Sequence, residues 1–281
     1  MFLLEDEFEI NRNCVIENQD FIHLNGILIE LRDFLNELGC LAFGRDMSVF
    51  RRIGPVNGNI VLDSATRTLE SIRFCCLNAN FADAYSLLRK YRDDLFYYVY
   101  LYTVADNSDL TLVVDVEQLN EDEKNIWDWV HNKQKDLHIG SVLKCIASHP
   151  SAKIAVQKFK LKDSFNKLAD KLNNYVHSNG YLFYNETYDK LVMKKKTKEK
   201  CDEFGETAIF ITVAFLFLVV LINPLLIMSY DYIDSLDFGV TPPEGSQCWV
   251  APFVSDFLCK HKNVLDEKCD SYLREKTGMQ I

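Results

Sequence analysis

From Asp20 to Leu38 the chain sets Leu24, Ile27, Leu28, Leu31, Leu35 and Leu38 at helical spacing among polar residues, which predicts an amphipathic helix ended at Gly39. Phe43 to Ile60 is punctuated by Gly and Pro and carries Arg45, Arg51 and Arg52, a pattern that predicts a loop or short helical turns. No Gly or Pro interrupts the chain from about Asp63 to Tyr102. There Leu69, Ile72, Cys76, Phe81, Ala84, Leu87, Leu88, Tyr91, Leu95 and Val99 form a stripe that changes phase near Asn78-Ala79-Asn80. The expectation is one long helix, or two nearly in line with a break at that point. Tyr85 to Tyr102 is expected to be a central helix with Leu88, Tyr91 and Leu95 buried. Arg89 stands four residues before Asp93, on the same face, and Arg89 and Arg92 are expected to pair with acids.

Leu110 to Val116 is a short β-prone run, too isolated to make a sheet by itself. Asn120 is placed to cap a helix through about Asn132, with Glu121, Asp122 and Glu123 in its first turn and Ile126, Trp127 and Val130 facing inward. Further helices are predicted at Ile139 to Ser148, Ser151 to about Lys160, and Ser164 to about His177. The fold class is therefore all-α, a helical bundle with little or no sheet.

The pattern changes at Ala208 to Met228, which runs 21 residues without a charge. At 1.5 Å per residue this is about as long as the hydrocarbon core of a bilayer is thick, so it predicts a single membrane-spanning helix over 207–229. Asn223-Pro224 falls late in the run, where proline removes a donor and bends the last turns. The layout that follows is a cytoplasmic all-α domain over 1–200, the span, and a short extracytoplasmic tail over 230–281. Orientation comes from the flanks. Lys190, Lys194, Lys195, Lys196, Lys198 and Lys200 precede the run, whereas 231–245 holds Asp231, Asp234, Asp237 and Glu244 and no Lys or Arg. The N-terminus is thus expected in the cytoplasm, in a single-pass protein of the cell membrane whose first partner is the lipid bilayer. The opening MFLLEDEFEI has acids where a secretory signal has bases, so the internal run is expected to act as its own insertion signal. In the tail, Phe253, Val254, Phe257 and Leu258 lie at helical spacing, and Trp249 with Tyr230 or Tyr232 is expected at the membrane interface.

Composition supports a folded chain, with 48% hydrophobic and 12% aromatic residues. The formal charge of −10 argues against a general nucleic-acid binder. Among the nine cysteines no C-x-x-C pair occurs, and no metal or cofactor is expected. Cys248, Cys259 and Cys269 fall in the tail, where two of the three could pair in an oxidising compartment.

The one stretch with a chemical reading is SFNKLADKLNNYVHSNG. Asn179-Gly180 closes the helix, so His177 sits in its last turn, where the helix dipole favours an imidazolium. The alternative is catalytic: His177 as acid or base beside Asn173 or Asn174, with Lys171 one further turn back.

The blocks YSLLRKYRDDLF, LNNYVHSNGYLFYN and TPPEGSQCWVAPFV, in that order, resemble a set of bacterial membrane proteins with a helical domain, one span and a short tail. That resemblance implies architecture and a bacterial inner-membrane location, and no activity. The helix from Lys171 to His177 is also similar to the helical HEPN-type domains of abortive-infection and toxin systems, whose ribonuclease members carry an Arg and a His on one helix. Lys171 stands here in place of that Arg, without the planar fork that grips a phosphate twice. The function expected is a non-catalytic, membrane-anchored helical module that binds a protein partner or a second copy of itself, or senses a state at the membrane. Arg89, Arg92, Asp93 and Trp249 are its structural or interaction residues. The alternative is a HEPN-like ribonuclease of phage-defence type using Lys171, Asn173 and His177, and only that alternative brings in RNA.

Overall fold

The computed structural model describes residues 2–46, 56–106, 116–133, 137–242 and 249–281. Among them every regular element is a helix, and β-pairing is confined to two isolated bridges, Met228 with Val250 and Trp249 with Gln280. Arg51, Arg52, most of the β-prone run and Cys248 lie outside the described residues.

Two helices open the chain, α1 (Phe2–Glu17) and α2 (Gln19–Asp46), joined at Asn18, whose side-chain oxygen accepts from the Asp20 amide at 2.9 Å. Gly39 does not end α2. A mid-helix glycine costs roughly 1 kcal/mol, and continuing the helix buries Leu41 and Ala42 beyond it. The next pair, α3 (Asn59–Leu77) and α4 (Phe81–Asp106), is two helices, and they are not in line. Ser64 Oγ donates to Asp94 at 2.9 Å and Lys90 Nζ to Thr68 Oγ1 at 3.3 Å, so the two run antiparallel. The reversal is made at Ala79, buried in the left-handed region at φ 51. Leu88, Tyr91 and Leu95 of α4 are fully buried, as the stripe predicts.

A 3-10 turn at Val116–Gln118 leads to α5 (Glu121–Val130). Asn120 and Glu123 form a reciprocal capping box, each side chain accepting from the other's backbone at 2.9 Å. Ile126 is buried, but Val130 is exposed, contrary to expectation, because the helix ends in solvent at His131. Three helices follow, α6 (Ile139–Ser148), α7 (Pro150–Lys158) and α8 (Leu161–Val176). The short α9 (Tyr188–Met193) then leads into the long α10 (Thr197–Ile222).

Among the described residues α10 is the helix long and apolar enough to cross a membrane, and 78% of its most apolar stretch is buried inside the protein. From Ile211 to Ile222 every residue is at most 6% exposed, so all faces of three turns are covered. A helix apolar all round needs an apolar surrounding on every side, and a protein core supplies one as well as lipid does. The covering comes from the amphipathic helices. The Tyr91 and Thr212 hydroxyls meet at 2.6 Å, Tyr98 packs edge-on to Phe215, and Phe159 packs edge-on to Phe217. Gly205 lies close against α2, where a Cβ would stand 2.9 Å from Cδ1 of Ile27.

The tail holds α11 (Tyr230–Asp237), α12 (Pro252–Lys260) and α13 (Cys269–Thr277), and it packs on this same body. Tyr230 OH donates to the carbonyls of Cys40 and Leu41 at 3.0 and 2.9 Å. Phe257 stacks on Phe34 of α2 with ring centroids 4.0 Å apart, and Lys260 and His261 both reach Glu30. Tyr272 packs edge-on against Phe159, and the Ala251 amide donates to the Ile227 carbonyl at 2.8 Å. A tail across a bilayer from the residue 1–200 domain would make none of the contacts to α2.

Candidate functional site

A polar cluster lies where the first turns of α10 meet α4, α8 and the chain at Glu186. The first two turns of α10 are polar, TKEKCDE, and the face that the apolar stripe keeps inward also brings Lys200 inward, with 8% of its surface exposed. Burying an ammonium demands partners for it. Its Nζ lies 2.7 Å from Glu186 Oε1 and 3.5 Å from Glu203 Oε2, and it donates to the Tyr175 hydroxyl at 2.5 Å. It also stands 4.7 Å from the centre of the Tyr85 ring and 5.1 Å from that of Tyr175, and these two rings stack on each other at 4.1 Å.

Lys171 completes the cluster from α8. It pairs with Glu203 at 2.7 Å and donates to Thr207 Oγ1 at 3.0 Å. Burial acts to raise the Glu203 carboxyl, but the hydrogen bond from Lys171 and the charges of both lysines outweigh it and hold the group below its usual range. Burial, followed by the nearby charges of Glu186 and Glu203, pushes the Tyr175 phenol upward. Tyr175 is therefore a neutral donor rather than a base. The Tyr85 hydroxyl is buried without a hydrogen-bond partner, as is the side-chain oxygen of Asn173. A pocket of about 220 Å³ adjoins the cluster, lined by Glu186, Lys194, Lys196, Glu199 and Lys200. Its charges of both signs neutralise one another locally. In the cluster the two lysines are matched by the carboxylates of Glu186 and Glu203, which ties α8, α10 and the chain at Glu186 together.

The structure does not bring Lys171 and His177 together. Six residues apart on a helix, they point about 120° away from each other. Lys171 turns inward to Glu203, whereas His177 is the exposed residue that ends α8. The helix closes differently from the Asn-Gly expectation. Ser178 takes the left-handed conformation at φ 51, and the amides of Ser178 and Asn179 return to the carbonyls of Tyr175 and Asn174. Asn173 is half-buried and, four residues before His177, lies on the same side of the helix as His177.

Arg89 and Arg92 meet Asp93, at 3.9 and 2.5 Å, with Arg92 itself almost fully buried. Burial raises the Asp93 carboxyl, opposed by Arg92 and then Arg89. Trp249 is 41% exposed and joins the tail through its backbone. No group of three or more His, Cys, Asp or Glu that could hold a metal occurs among the described residues. Cys259 and Cys269 are unpaired there, and burial pushes the Cys269 thiol up to about 12. The sequence reading missed Lys200, Glu203, Glu186, Tyr175 and Tyr85. The available signal was Lys200 with Glu203 one turn on, at the head of an apolar helix.

Comparison with family models, with characterised proteins and with solved structures finds no match. The two resemblances given above therefore rest on the quoted residues alone.

Proposed function

We propose that this chain is a non-catalytic helical binding module built around α10. What supports it is the separation of the one candidate catalytic pair. Metal-free cleavage of RNA needs a phosphate-holding cation and an acid or base around one phosphodiester. Lys171 is committed to Glu203 and Thr207, and His177 points away into solvent. The test uses the full-length protein and its His177→Ala variant, incubated with RNA and expressed in cells. Neither protein should cleave RNA, and the two should affect growth alike. Cleavage by the unaltered protein that vanishes in a folded His177→Ala variant would put the HEPN-like ribonuclease ahead.

In this reading α10 is the post of the bundle, supported by the cover over Ile211 to Ile222 and by the tail's contacts with α2. A second arrangement is a single-pass anchor in a bacterial inner membrane, with the N-terminus in the cytoplasm and residues 230–281 outside. It is favoured by the length and apolarity of α10 and by the lysines from Lys190 to Lys200 set against the acids that follow it. It requires α10 to exchange Tyr91, Tyr98 and Phe159 for lipid. It also requires the tail to leave Phe34 and Glu30.

A further inference from the structure

The stretch from Leu137 to Lys162 reverses the charge of the chain. It carries Lys144, Lys153, Lys158, Lys160 and Lys162 and no Asp or Glu, in a protein with 41 acidic and 31 basic residues. The fold turns that stretch into a site. α6, α7 and the start of α8 enclose a cleft of about 530 Å³, within the range of small-molecule pockets. Its apolar lining includes Leu143, Val156 and Phe165, and Lys144, Lys153 and Lys162 stand around it, one from each helix. All three lysines are exposed, and none makes an ion pair among the described residues. This differs from the lysines at the head of α10, where Lys196, Lys198 and Lys200 each have a carboxylate.

An apolar cleft ringed by unpaired cations from three helices matches one ligand chemistry, an apolar chain ending in an anion. We propose that the α6–α7–α8 cleft binds a single-chain anionic amphiphile, a fatty acid or a lipid of that form. The chain lies against Leu143, Val156 and Phe165, and the anionic head meets the lysines. Buried chain area supplies affinity, and the lysines select charge as exposed point charges. RNA fits less well, because recognition of single strands relies on several aromatic stacking platforms and the lining of this cleft offers a single aromatic ring, Phe165. The proposal rests on the binding-module reading and names its ligand class.

The experiment is calorimetric titration of the full-length protein with dodecanoate, dodecan-1-ol, inorganic phosphate, RNA, and vesicles of anionic phospholipid. Dodecanoate should bind at one site, and dodecan-1-ol about tenfold more weakly, the combined effect of three exposed charge contacts. The triple variant Lys144→Gln, Lys153→Gln, Lys162→Gln changes only exposed side chains, and it should reduce dodecanoate binding to the level of the alcohol. Ala147→Phe, which fills the cleft, should weaken both ligands. The proposal is overturned if dodecanoate does not bind, or if it binds the folded triple variant and Ala147→Phe unchanged. It is also overturned if phosphate alone, RNA, or only the vesicle surface binds through the same lysines. RNA cleavage by the same preparation would sink the binding-module reading while leaving dodecanoate binding intact, so the two failures are distinguishable.

Discussion

Replacing Lys200 by Met leaves the Glu186 carboxylate beside the Tyr175 hydroxyl with no cation to balance it. Removing one partner of a buried ion pair typically costs about 3–5 kcal/mol, far more than an exposed pair is worth. Lys200 and Glu186 are 9% and 19% exposed in their side chains, close enough to that case for the lower end to apply. Lys200→Met should therefore destabilise the protein by about 3 kcal/mol in urea unfolding. Adding Glu186→Gln to it should recover part of the loss, since the stranded charge is gone. Additive losses would mean that the two side chains do not act on each other. Lys198, two residues before, pairs with Asp202 in full solvent, and the contrast shows why the lysine run reads as one flank in the sequence. Which lysine of a run faces inward depends on helix phase relative to partners that lie elsewhere in the chain, at Tyr85, Tyr175 and Glu186.

At the scale of elements, α4 packs against α3, α5, α6, α8 and α10. Leu88→Ala should cost about 2–5 kcal/mol, as for other fully buried leucines. An unchanged unfolding midpoint would place that face of α4 at the surface. Most helices here were legible because a 3.6-residue stripe is a local property, and the Asn120 cap was legible from Asn120 and Glu123 alone. What escaped was set by distant partners. Gly39 looked like a stop until Leu41 and Ala42 found a core to enter. Ala79 has no left-handed preference of its own, yet the contact between α3 and α4 holds it there, so a phase change in the stripe was really a reversal. The site shows the same division. Lys171 and His177 were correctly placed on one helix, but Glu203, which turns Lys171 inward, comes from α10.

For the whole molecule, the decisive relation is between α10 and the segments that enclose it. Val213 and Phe217 line one small space with Leu258, Leu265 and Leu273 of the C-terminal segment. Cutting the chain after Met228 should uncover that side of α10, and the remainder should aggregate or melt at a markedly lower temperature than the full chain. The single-pass arrangement makes the opposite forecast, since there the tail does not touch residues 1–200 and its loss leaves their melting unchanged. An apolar run of this length satisfies a lipid bilayer and a protein interior equally, and for that reason α10 is long and apolar enough to cross a membrane while most of its apolar stretch is buried among the other helices. The enclosure also has a consequence for how the molecule is made. α2 and α4 pack first on α3, but the side that each turns to α10 has no partner until α10 has been synthesised, more than a hundred residues after α4 is complete. At cellular elongation speeds of about 5–20 residues per second, the newly made chain carries those leucine and tyrosine faces unprotected for on the order of 10 s. Its yield in a cell should then follow how well holding chaperones guard the unfinished polypeptide, more closely than it follows the stability of the finished fold.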